Sequence, residues 1–167
     1  MRVPTPLTGC RVDRTAFDYQ VRLSLSTLNP DEDYRVDAEL SIETPFLLRH
    51  PDGQWHELDP GTGASLAPVL DLFGQTISSA EIRDKGALHL TFGNGAELHV
   101  GPNHHFESWH LTGTGVGPIT VGPGGETDWQ PAPHPSHAST ANIHNQDRPA
   151  GRVTDQVTAI RHASTGA

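Results

Sequence analysis

Eleven histidines stand among 167 residues. Imidazole moves protons near neutral pH and ligates transition metals, so histidine spacing is the first chemistry to examine. The tightest usable set is His89, Glu97 and His99, inside the stretch GALHLTFGNGAELHV (86–100). Two imidazoles and a carboxylate on one face could hold zinc or another divalent ion. His104, His105, Glu107 and His110 form a second cluster, but they lack the His-x-x-x-His helical spacing that sets two imidazoles on one metal. His134, His137 and His144 are scattered along a segment with nothing to fix them. No Gly-x-Ser-x-Gly elbow occurs, and Cys10 opens a strand without an activating neighbour, so no catalytic residue is assigned. Asp31-Glu32-Asp33 lacks the spacing of a calcium loop and reads as a solvated loop. The glycines at 113–117 and 122–125 do not lead from a strand into a helix as phosphate loops do, and read as turns.

The metal reading depends on a hairpin. Leu88, Leu90 and Phe92 alternate with His89 and Thr91, and Ala96, Leu98 and Val100 alternate with Glu97 and His99. Period-two alternation on both sides of Gly93-Asn94-Gly95 predicts two antiparallel strands. A two-residue Asn94-Gly95 loop would set Phe92 against Glu97. A three-residue loop with Gly95 at positive φ pairs Phe92 with Ala96, Leu90 with Leu98 and Leu88 with Val100. The second register puts all six apolar side chains on one face and leaves His89 nearly opposite His99 on the other.

The rest of the chain supplies elements to carry this hairpin. Strands are expected from Cys10 to Phe17, from Val21 to Leu25 and from about Tyr34 to Glu43, with LNPDED (28–33) as a loop. Val12 and Ile77, Leu23 and Leu88, and Leu25 and Leu90 each lie 65 residues apart, and AELSI (38–42) precedes AELHV (96–100) by 58. We read two three-stranded meander repeats, about 9–45 and 74–102, whose apolar faces need covering. Between them, Phe46 and Leu48 begin a hairpin that turns at His50-Pro51-Asp52-Gly53 and returns through Trp55 and Leu58. Leu66, Val69, Leu70 and Phe73 fall at helical spacing and predict one short helix over 65–73, with Gly74 behind it. Phe106–Thr112 reads as a strand with Trp109 in the core, and Ile119–Val121 with Glu126–Trp129 as a closing hairpin. The predicted class is α+β, predominantly antiparallel β, with eight to nine strands and the two repeats packed as a sandwich or barrel.

All ten aromatic residues lie in 1–130, which we take as one globular domain. From Pro131 the composition turns to Pro, Ala, Ser, Thr, His and Asn, so 131–167 is expected to be a disordered tail, with Val153, Val157 and Ile160 as its sole helical spacing. Residues 1–130 carry eight Lys/Arg against eighteen Asp/Glu, a net charge of −10. A field of that sign disfavours nucleic acid and anionic membrane, and suits a basic protein partner. One cysteine allows no internal disulfide, and no apolar run is long enough to span a bilayer, so a cytoplasmic home is expected.

The segments FDYQVRLSL (17–25), TPFLL (44–48), LAPVLDLFG (66–74), GALHLTFGNGAELHVGP (86–102), ESWHLTG (107–113) and PGGETDW (123–129) resemble a bacterial domain family of unknown function over about residues 7–130. The resemblance implies a fold family and transfers no catalytic residue. Small acidic β-rich proteins of this kind include immunity proteins of bacterial toxin systems, an analogy of class. The leading expectation is a non-enzymatic binding protein acting through its acidic surface, immunity-like or regulatory toward a basic protein, with no cofactor. The rival is a metal-binding protein or metal-dependent enzyme using His89, His99 and Glu97, with zinc or another divalent metal.

Overall fold

The computed structural model describes residues 3–4, 6–27 and 35–129. The Asp31–Asp33 loop and everything expected of 131–167 lie outside them. Among the described residues, twelve strands form two six-stranded antiparallel sheets. One sheet runs β1 (Val3–Pro4), β7 (Ile77–Ile82), β8 (Leu88–Phe92), β9 (Glu97–Val100), β5 (Phe46–Arg49), β6 (Trp55–Leu58) across its width. The other runs β12 (Thr127–Trp129), β11 (Ile119–Val121), β10 (Trp109–Thr114), β4 (Asp37–Ile42), β3 (Val21–Ser26), β2 (Arg11–Phe17). The alternation dictates the burial. Val21, Leu23 and Leu25 from one sheet and Leu88, Leu90 and Phe92 from the other belong to a single apolar core.

The β8–β9 hairpin has the register its phase demands. Leu88 pairs with Val100, His89 with His99 and Leu90 with Leu98. The Phe92 amide donates to the Ala96 carbonyl (2.9 Å) and the Gly95 amide to the Phe92 carbonyl (2.9 Å), closing a three-residue loop. Gly95 sits at φ +88°, a conformation that costs a side-chain-bearing residue about 1 kcal/mol or more.

Each sheet contains one of the two expected meanders, β2–β3–β4 or β7–β8–β9, and both first strands bulge at matching places, between Val12 and Arg14 and between Ile77 and Ser79. The pairing does not follow the uniform 65-residue offset. Leu23 faces Leu40 as Leu90 faces Leu98, and Val21 faces Ile42 as Leu88 faces Val100. The second strands therefore correspond at an offset of 67, because three residues join β2 to β3 and five join β7 to β8.

The expected α-helix over 65–73 is instead a 3-10 helix, Gly63–Leu72. Its buried residues are Leu66, Val69 and Leu72, a period of three, whereas Leu70 and Phe73 are more than half exposed. Three residues per turn align i, i+3 and i+6, so Leu72 replaces Leu70 and Phe73 on the inner face. Among the described residues the other helical turns are also 3-10, and α+β gives way to an antiparallel β architecture with one short helix.

The strand expected over Phe106–Thr112 starts later, at Trp109, as β10. Phe106 stays outside it and is exposed, while Trp109 is fully buried as predicted. Gly113, expected in a turn, lies within β10. The sheets also touch through hydrogen bonds. Trp109 Nε1 donates to the Gly86 carbonyl at 2.8 Å, and the Ile77 amide to the Cys10 carbonyl at 2.8 Å. At Gly86 (φ +70°) a Cβ would stand 2.7 Å from Cγ1 of Val121, so only glycine lets the β7–β8 turn settle on the other sheet.

Candidate metal centre

Cross-strand pairs place residues on the outer face of the first sheet in rows. Glu57 pairs with Leu47, Leu47 with His99, His99 with His89 and His89 with Glu81. Beside that row runs Trp55, Arg49, Glu97, Thr91 and Ser79. The strand order sets both rows, because residues directly opposite share a face.

His89 and His99 face each other with ring centroids 3.8 Å apart. Glu97 lies two residues before His99 and diagonal to His89, within reach of both. His99 Nε2 donates to Glu97 Oε2 at 3.1 Å, and His89 Nε2 donates to the same oxygen at 3.4 Å. One ligand atom from each of the three residues lies within 4.8 Å of the others, and among the described residues no other group of three His, Cys, Asp or Glu converges in this way. The side chains are half-buried, at 16%, 23% and 32% exposure for His89, Glu97 and His99.

Further cations bound the cluster. Arg49 Nη1 holds Glu97 Oε1 at 2.7 Å, which turns Oε2 toward the imidazoles. Arg83 Nη2 donates to His89 Nδ1 at 2.5 Å, and its Nε donates to Glu81 Oε2 at 3.2 Å. A guanidinium has no lone pair to offer, so His89 Nδ1 is an acceptor here and its proton sits on Nε2. Trp55 stands edge-on to His99 with centroids 5.1 Å apart.

Two groups are displaced from their ordinary protonation. The His99 hydrogen bond, followed by those of His89 and Arg49, holds the Glu97 carboxyl below the usual range against a smaller opposing effect of burial. Burial lowers the His99 pKa, opposed by Glu97 and assisted by the charge of Arg83. A neutral His99 beside an ionised Glu97 is the state a divalent ion requires of such ligands.

Next to the cluster lies a hollow of about 560 Å³ whose walls include Leu47, Glu57, Arg83, Ala87, His89 and His99. The buried residues Phe46, Leu88 and Val100 also border it.

The other candidates stay apart. His110 leaves the 104–107 stretch and meets Glu43 instead (3.4 Å). Cys10 is buried, and burial pushes its thiol up to about 11, with Asp13 adding to the shift. Arg49, Trp55, Glu57 and Leu47 were not legible as site residues, because nothing local says that β5 docks beside β9. Arg83 was within reach of the sequence: it directly follows the strand whose Glu81 pairs with His89.

No helix among the described residues is long and apolar enough to cross a membrane. No curated protein and no solved structure matches the chain. One family model does, over residues 3–130, most of the length. The chain belongs to the family of unknown function DUF6188.

Proposed function

We propose that this domain is a binding protein whose working surface is the outer face of the β7–β8–β9–β5–β6 sheet, and that His89, Glu97 and His99 there take a zinc-like divalent ion. The observation that carries this reading is the convergence of three ligand atoms within 4.8 Å on three adjacent positions of one hairpin. Two imidazole nitrogens and one carboxylate oxygen match the His₂Glu donor set that suits zinc, and three protein ligands leave further positions for oxygen donors. Elemental analysis of the full chain, purified without an affinity tag, tests it. About one equivalent of a transition metal, lost in His99→Ala and retained when His134, His137 and His144 are replaced, is expected. Metal content unchanged in His99→Ala defeats the reading.

The net charge of −10 over residues 1–130 favours a second role, docking of a basic protein in an immunity-like or regulatory manner. Salt-sensitive capture of a basic partner by the full chain is the expected result, and a partner that binds equally at high salt speaks against it. We place this activity in a reducing cytoplasm on the strength of the single cysteine. For the architecture, the shared core and the matched bulges and registers favour two copies of one meander packed as a sandwich.

A further inference from the structure

The hollow beside the three ligands carries a guanidinium whose position is tied to the metal. For His89 to coordinate through Nε2, its remaining proton must move to Nδ1. Arg83 Nη2 now donates to that same Nδ1. Two donors cannot face each other, so the ion and the Arg83–His89 hydrogen bond exclude one another. Arg83 remains tethered through Nε to Glu81 Oε2 at 3.2 Å, which leaves its Nη donors at the wall of the hollow it already lines. The other walls include Leu47, Ala87 and Pro45, beside the two imidazoles, and the Glu57 side chain, whose charge opposes an anion there.

We infer that the hollow binds a small organic carboxylate, one oxygen on the ion and the other on Arg83, with its apolar body against Leu47, Ala87 and Pro45. The inference rests on the metal reading above and adds its ligand. Each partner of the pair prepares the site for the other: the ion releases the guanidinium, and the guanidinium with the ion presents two positive groups to one carboxylate. Binding of ion and carboxylate is therefore cooperative, and the coupling is reciprocal. The apolar walls select against purely inorganic anions, which would gain nothing from them.

Cobalt(II) reports coordination through its visible spectrum, so the full chain is titrated first with cobalt(II) and then with benzoate. Benzoate is expected to change the spectrum of the cobalt-loaded protein and to tighten cobalt binding. Arg83→Ala should weaken benzoate by at least about tenfold, the loss of one charged hydrogen bond. Its cobalt affinity should be unchanged or tighter, because the competing donor to Nδ1 is gone. A cobalt spectrum indifferent to benzoate overturns the inference and leaves the metal reading standing. Failure to take up cobalt overturns the metal reading and this inference with it. Loss of cobalt binding in Arg83→Ala also overturns it, since Arg83 would then serve the ion rather than the carboxylate.

Discussion

His89 and His99 occupy directly opposed positions of one hairpin, and their rings meet at 75° with centroids 3.8 Å apart. Both direct Nε2 at a single oxygen, Oε2 of Glu97. That oxygen is free to serve them because Arg49 occupies the other one. Removing Arg49 should therefore loosen the carboxylate without touching a ligand. Arg49→Ala is expected to weaken zinc binding by about 10- to 100-fold, as losses of groups that orient metal ligands do. Thr91→Val, on the same face next to Glu97, should leave affinity unchanged. Calorimetric zinc titration of both variants checks the difference.

The 3-10 segment separates two leucines that helical spacing would treat the other way. Leu72 is 1% exposed and Leu70 is 52% exposed. Leu72→Ala should cost about 2–5 kcal/mol of unfolding free energy by emptying a core position. Leu70→Ala should stay within about 0.5 kcal/mol. Urea unfolding of the pair tests whether the inner face repeats every three residues.

Trp109 and Gly86 form one contact between the sheets. Trp109→Phe removes the indole donor to the Gly86 carbonyl and part of the largest buried ring, an expected loss of about 2 kcal/mol. Gly86→Ala should also destabilise, because its Cβ would meet the Val121 side chain. The two changes should be less than additive in a double-mutant cycle, since either one loosens the same turn.

Asp13 accepts hydrogen bonds from the Ser26 hydroxyl and from Arg11. The Ser26 bond first, and the Arg11 bond and charge after it, hold its carboxyl below the ordinary 3.8. A carboxyl lowered in the folded state binds fewer protons than in the unfolded chain, so its contribution is present above the unfolded pKa and lost as pH falls through the folded one. Asp13→Asn should be less stable than the native chain at neutral pH, and the difference should shrink below about pH 4. Denaturant midpoints across that range measure it.

Cys10 behaves as a core residue. With its thiol raised to about 11, it stays protonated and shielded at about pH 8, where an ordinary thiol reacts. Iodoacetamide should label it slowly in the native protein and rapidly in urea. Because the folded pKa is the higher one, the thiol's contribution to stability is intact below the unfolded pKa and is lost as pH rises toward 11.

What the chain determined by itself was local. Alternation fixed which residues of β8 and β9 face the core, and the phase across Gly93-Asn94-Gly95 allowed one loop length that keeps Phe92, Leu90 and Leu88 on the same side as Ala96, Leu98 and Val100. With that register, the opposition of His89 and His99 followed, because a two-residue period leaves the alternate positions no other face. Tertiary structure decided the rest of the cluster. Arg49 and Trp55 join it only because β5 docks on β9, a pairing across nearly fifty residues that no local pattern encodes. The 3-10 form of Gly63–Leu72 was likewise a decision of packing: Leu66 and Val69 serve either helix equally, and the position of Leu72 over the sheet tips the balance. The offset of 67 between the second strands came from turn length, which the apolar pattern cannot read, since a shift of two residues restores the same face.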